Sequence, residues 1–187
     1  MRSSGVLMHL SSLPSPYGIG TMGKQAKQFV DFLEKAGQTY WQMLPICPTS
    51  YGDSPYQSPS GFAGNPYFID LDILCTKKLL KKSECKSYQW NEKDDTVDYA
   101  LLYKNRYDLL RKAKVRFFEN VPQEYGQFCE KEADWLDDFA LFMALKEAHN
   151  GAQWSEWERP LKFREAEAIA KAKDTYADEI DFWNLNN

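Results

Sequence analysis

Strand, helix and strand follow one another within the first 46 residues, and this succession constrains the fold more than any other feature of the chain. Val6-Leu7-Met8-His9-Leu10 is a short apolar run after Gly5, the pattern of a buried parallel strand. Met22 to Ala36 reads as a helix, because Ala26, Phe29, Val30, Leu33 and Ala36 share one apolar face. Thr21 is placed to cap its start and Gly37 to end it. Lys27 with Asp31, and Asp31 with Lys35, support the exposed face one turn apart. Thr39 to Ile46 reads as a second buried strand. A βαβ unit with short turns implies parallel pairing and a right-handed crossover.

In α/β barrels the functional loops leave the C-terminal ends of the strands. The loops Ser11 to Gly20 and Pro48 to Pro66 both do so, which places them on one rim. The second holds Ser54-Pro55-Tyr56-Gln57-Ser58-Pro59-Ser60-Gly61-Phe62-Ala63-Gly64-Asn65-Pro66. Amides and hydroxyls beside flat aromatic faces suit a neutral polyhydroxylated ligand, which has no charge to grip. On composition alone an ordinary irregular loop is the better reading.

Beyond Leu74 the chain reads as almost entirely helical. Short helices are expected around Thr76 to Lys82 and Glu84 to Tyr88, and a long one over Tyr99 to Phe118. Further helices are expected over Pro122 to Glu132, over Asp134 to Asn150 with Asp134 as cap, and over Phe163 to Thr175. The chain therefore divides into a barrel-like βαβ portion over 1–73 and a mostly helical portion over 74–187.

The 187 residues suffice for one domain with a core. They are too few for a complete eight-stranded α/β barrel of about 250 residues. The apolar, aromatic run Ile180-Asp181-Phe182-Trp183-Asn184-Leu185 is expected to pack against a segment that follows it. Net charge is −4, and the cationic run Lys77, Lys78, Lys81 and Lys82 is soon followed by Glu84 and an acidic stretch. A solvated face explains that run better than a nucleic-acid patch. Cys47, Cys75, Cys85 and Cys129 lack CxxC spacing, and His9 and His149 are the only histidines, so a zinc site is not expected. Free thiols without an export signal or a membrane-length apolar stretch point to the cytoplasm.

Several segments resemble, in order and spacing, the N-terminal part of the 4-alpha-glucanotransferases, the amylomaltase or disproportionating-enzyme family of glycoside hydrolases (family 77). They are Arg2 to Leu7, Ser11 to Gly20, Trp41-Gln42-Met43-Leu44-Pro45, the Ser54 to Pro66 loop, Trp135 to Lys146, and the Trp154/Trp157 pair. One departure is Thr21, where the family pattern suggests Asp. The resemblance implies the first part of a (β/α)8 TIM-type barrel with a helical subdomain inserted between early strands, and a chain that is a piece of a longer enzyme. It implies transfer of α-1,4-glucan segments to a new 4-hydroxyl by a retaining double displacement, with no cofactor. The partners it implies are maltodextrins and the rest of the same barrel. By the same resemblance Tyr56 packs on a sugar ring near the scissile bond and Ser54 lines the adjacent acceptor side. Gln57 and Asn65 brace the loop or touch the ligand.

Retaining glycosyl transfer needs two carboxylates about 5 Å apart. Asp53 is the one good rim candidate, whereas Asp70 and Asp72 suit turns or caps. One rim carboxylate is insufficient. The family's catalytic carboxylates lie on later strands, so no catalytic residue is expected here. His9 and Arg2 have structural readings as their defaults. Trp154 and Trp157 fit a packed helix–loop junction or a stacking platform, and Asp137 and Asp138 fit a solvated helix edge. A non-catalytic α-glucan-binding module is the alternative function, and a fragment that needs its barrel in order to fold is a third reading.

Overall fold

The computed structural model describes residues 2–50, 52–93 and 95–187. Strand β1 (Gly5–Leu7) pairs in parallel with β2 (Tyr40–Gln42), in the register Gly5 with Tyr40, Val6 with Trp41 and Leu7 with Gln42. Met8 N–H donates to the Gln42 carbonyl at 3.0 Å and extends the ladder by one bond. The parallel pairing is as expected, but the strands are shorter than read from sequence and are not buried. Leu7 is 61% and Tyr40 62% exposed. Successive side chains alternate between faces. Val6 and Trp41 are half-buried, and Trp41 meets Phe29 of the intervening helix edge-on at 4.9 Å. Among the described residues this two-stranded sheet is covered on that face alone.

Helix α1 (Lys24–Lys35) begins later than the apolar pattern suggests. Its N-cap is Gly23, not Thr21. Thr21 is instead buried, and its hydroxyl donates to Asp70 Oδ2 at 2.6 Å. The other oxygen of Asp70 accepts from Ile73 N–H at 2.9 Å and caps α2 (Leu71–Thr76), the capping role read for Asp70. The C-terminus of α1 is as expected. Gly37 adopts φ +67°, Gly37 N–H donates to Glu34 at 3.0 Å and Gln38 N–H to Leu33 at 2.9 Å. These two bonds satisfy carbonyls that a helix end otherwise leaves open. Val30 and Ala36 lie outside the buried stripe, which is narrower than the sequence face.

The described residues form two compact units, Met1–Asn120 and Val121–Asn187. In the first, α2 is followed by α3 (Lys82–Lys86) and α4 (Tyr99–Phe118). The two short helices are displaced from their sequence positions because Asp70 caps early and Lys78, at φ +62°, ends the turn. Helix α4 has its expected bounds and is capped by Asp98, which accepts from Leu101 N–H at 2.9 Å. Leu10, Tyr17, Phe68, Leu71, Cys85, Leu102 and Leu109 form one core, so residues before and after position 74 share an interior. Arg106 of α4 is fully buried in that core. It donates to the Tyr67 carbonyl and lies 5.8 Å from the Trp90 ring, and burial lowers its pKa to about 10.

The second unit contains α5 (Gln123–Lys131), α6 (Ala133–Ala148), α7 (Arg159–Lys162), α8 (Ala166–Thr175) and α9 (Ala177–Leu185). Glu132, not Asp134, occupies the N-cap of α6, and Asp134 lies in its first turn. Asn150 and Gly151, at φ +53° and +80°, end that segment as read. Helix α8 starts after Phe163 because Arg164 sits at φ +55° and breaks the run. Phe182 and Trp183 of α9 are buried, and Trp183 meets Phe139 of α6 edge-on at 6.3 Å. The terminal aromatic run thus finds much of its partner upstream.

Candidate functional site

The loops after β1 and β2 meet around a cavity of about 220 Å³. The first contributes His9, Ser11, Ser12 and Ile19. The segment after β2 contributes Leu44, Pro45, Thr49, Asp53, Pro55 and Asn65. Tyr67, Phe68 and Tyr99 complete the wall. This is the convergence on one rim that the strand order implies.

The β2 loop is fixed at its base. Asn65 is buried, and its backbone N–H donates to the Ile46 carbonyl at 3.1 Å. Its side-chain amide donates to the Cys47 carbonyl at 3.2 Å, while its Oδ1 accepts from Tyr67 N–H at 2.9 Å. A single amide therefore ties the start of the loop to its end. Within the loop, Ser50 N–H donates to the Gln57 carbonyl at 3.0 Å and Gln57 N–H to the Ser54 carbonyl at 3.1 Å. Ser54 Oγ accepts from Tyr56 N–H at 3.3 Å. These bonds turn the Tyr56 ring outward, where it is 71% exposed. Asn65 thus lines the cavity from its base, Tyr56 and Gln57 are solvent-facing, and Ser54 shapes the turn between Asp53 and Tyr56.

Asp53 holds a left-handed backbone conformation, φ +53°, which a short polar side chain tolerates. Burial raises its carboxyl pKa, opposed by a 3.4 Å hydrogen bond from the Thr49 hydroxyl. Burial, and then the charge of Asp53, raise the pKa values of Tyr67 and Tyr99, which keeps both phenols protonated as donors. Burial lowers the pKa of His9, whose ring meets Phe68 edge-on at 5.5 Å. The wall therefore offers hydroxyl, amide and imidazole groups and one carboxylate beside aromatic surface. Asp53 is the single carboxylate among its described lining residues.

The residues missed from sequence are Tyr67, Tyr99, Thr49, Ser11 and Ser12. The last three could have been found as polar groups in or beside the rim loops. Tyr99, which opens the distant helix α4, carried no such signal. Asp72 lies elsewhere, bonded to Tyr17 and Lys82. Burial pushes its carboxyl up, but those two bonds hold it below the usual range. Asp138 pairs with Arg164 at 2.6 Å on an exposed edge. Trp157 is buried and stacked on His149 at 5.1 Å, whereas Trp154 is 56% exposed. Among the described residues no group of three or more His, Cys, Asp or Glu could hold a metal ion, and no helix is long and apolar enough to cross a membrane.

The family model described as 4-alpha-glucanotransferase (glycoside hydrolase 77) matches residues 8–186. A 4-alpha-glucanotransferase of Clostridium butyricum is 49% identical over 95% of this chain and 37% of its own length. One of Thermus thermophilus is 46% identical over 97% of this chain and 36% of its own. A solved structure, the amylomaltase of Streptococcus agalactiae in complex with acarbose, superposes with a TM-score of 0.96 at 39% identity. It covers 100% of this chain and 38% of that one, so this chain spans little more than a third of its relatives. On these matches, together with its parallel strand pair and rim cavity, the chain belongs to the 4-alpha-glucanotransferase family.

Proposed function

We propose that this chain supplies part of the sugar-binding wall of a 4-alpha-glucanotransferase. That enzyme moves a segment of an α-1,4-glucan to the 4-hydroxyl of glucose or another glucan. It does so by a retaining double displacement and without a cofactor. In this reading β1, α1 and β2 open a (β/α)8 barrel, with residues 1–73 as its first portion and 74–187 as a mostly helical insertion. The enzyme works in the cytoplasm, where maltodextrins are its partners. The nucleophile and the acid/base carboxylate belong to barrel strands outside these 187 residues.

Tyr56 is proposed to pack on a sugar ring near the scissile bond and Ser54 to line the acceptor side. Asn65 and Gln57 chiefly brace the loop, with ligand contact as the lesser role of each amide. The observation that carries this reading is the Tyr56 ring, 71% exposed on a loop pinned at both ends beside a polar cavity. An exposed ring on a fixed base can stack on a sugar with little ordering cost. The acarbose complex of the amylomaltase relative supports an oligosaccharide as the ligand class.

The test is incubation of the purified chain with maltotriose, alongside affinity electrophoresis in a gel containing amylose. Retardation that weakens in Tyr56→Ala, with no new maltodextrins formed, is the expected result. A ladder of glucose and longer maltodextrins would show a complete catalytic site within the chain and overturn the placement of the carboxylates. Equal retardation of both proteins would remove Tyr56 from the wall.

A further inference from the structure

The Cys75 and Cys85 sulfurs lie 3.8 Å apart across the turn that joins α2 to α3. Cys85 is fully buried, while Cys75 is only half-buried. Several contacts hold the turn in this shape. Leu79 N–H and Leu80 N–H both donate to the Leu74 carbonyl, at 2.9 and 3.3 Å. Arg116 donates to the Leu79 carbonyl at 2.9 Å and grips both oxygens of Glu84, at 2.8 and 2.6 Å. Lys82 pairs with Asp72. The two thiols are thus presented to each other by a braced segment. A disulfide needs its sulfurs about 2 Å apart, so closure requires the two side chains to turn toward each other from their 3.8 Å separation.

We propose that Cys75 and Cys85 form a reversible dithiol–disulfide couple whose oxidant is a low-molecular-weight disulfide. This is independent of the glucan-binding reading. In the first step the Cys75 thiolate, the one open to solvent, attacks a sulfur of the small disulfide. The S–S bond of the oxidant breaks, and one thiol leaves and takes up a proton. In the second step Cys85 loses its proton and attacks Cys75 Sγ, and the second thiol leaves. Two cysteine thiols are oxidised, and one small disulfide is reduced to two thiols.

Burial, and then the adjacent Cys75, push the Cys85 thiol up to about 12. Forming its thiolate is therefore the slow part of ring closure. The same property slows the reverse reaction. An incoming reductant reaches Cys75 Sγ and must expel Cys85, a poor leaving group at so high a pKa. The couple closes slowly and, once closed, holds. Closure ties α2 to α3 through a loop of ten residues' separation.

The test uses a Cys47→Ser, Cys129→Ser variant in which only this pair remains. It is incubated with oxidised glutathione under native conditions. The expected result is loss of both titratable thiols, an intact mass lower by two hydrogens and a cross-linked Cys75–Cys85 peptide. Dithiothreitol should restore the thiols, and the oxidised form should unfold at a higher temperature than the reduced one. Two persistent thiols would overturn the proposal, as would a glutathione adduct that stays on Cys75. Adding Cys75→Ser at the half-exposed position should leave Cys85 unmodified in a folded protein. A Cys85 adduct in that variant would refute the order of attack.

Discussion

Asp70 and Gly23 are in such close contact that a Cβ added at Gly23 would lie 1.7 Å from Asp70 Oδ2. The carboxylate occupies the space in front of α1, caps α2 and receives the Thr21 hydroxyl. Gly23→Ala must displace it from all of these partners. The expected cost is about 2–3 kcal/mol, from overpacking plus weakened buried hydrogen bonds. Urea unfolding would measure it, and a change below about 0.5 kcal/mol would show that the carboxylate moves freely.

Asn65→Ala removes the amide that joins the Cys47 carbonyl to Tyr67 N–H. The buried Tyr67 N–H and the partly buried Cys47 carbonyl then each lose a partner. A loss of about 1–3 kcal/mol is expected. Asn65→Asp keeps the acceptor for Tyr67 N–H but sets a carboxylate against the Cys47 carbonyl, and should be at least as damaging. Equal stability of the wild type and both variants would remove Asn65 as the base of the loop.

Arg106 offers a contrast between two substitutions. Its Nη2 donates to the Tyr67 carbonyl, but Nε and Nη1 are buried without a hydrogen-bond partner among the described residues. Arg106→Met fills similar volume and removes an expensive charge, so its stability should lie within about 1 kcal/mol of wild type. Arg106→Ala leaves a cavity in the core and should cost about 3 kcal/mol or more. Similar losses in the two variants would mean that the charge itself holds the core.

His149 is expected to make the stability of the second unit depend on pH. His149 Nε2 lies 2.8 Å from Glu158, and His149 Nδ1 lies 2.7 Å from the Leu145 carbonyl. Glu158 first, and then the carbonyl, raise the histidine pKa above its ordinary 6.5. The folded state therefore binds this proton more tightly than the unfolded chain does. The resulting stability is complete below pH 6.5 and is lost as pH rises through the raised value. Thermal unfolding followed from about pH 6 to about pH 8.5 should show a falling midpoint, with a flatter profile in Glu158→Gln. An unchanged slope in that variant would assign the response elsewhere.

What was legible in the sequence was local or periodic. The apolar stripe of α1 and its glycine stop were visible because they lie within one helix. The parallel pairing of β1 with β2 followed from the helix between them. The Thr21 assignment failed because its real partner, Asp70, is 49 residues away and a cap motif cannot reveal it. Strand burial failed because an apolar run reports a capacity to be covered, not the presence of a covering layer. In the candidate site, the loop from Ser54 to Asn65 stood out by its resemblance to the family, because its composition alone suits an ordinary loop better. The contribution of Tyr99 depended on where the start of α4 comes to rest, which no short window encodes.

The amide of Asn65 reaches back 18 residues to Cys47, so the segment between them leaves and re-enters the fold at nearly the same point. Such a segment behaves as a drawstring bag with its neck already tied. Exposed side chains such as Tyr56 and Phe62 can be exchanged at little cost to the interior, because the tie at Asn65 holds the neck of the loop. A loop closed at its neck can thus change its outward face while its attachment to the fold stays the same.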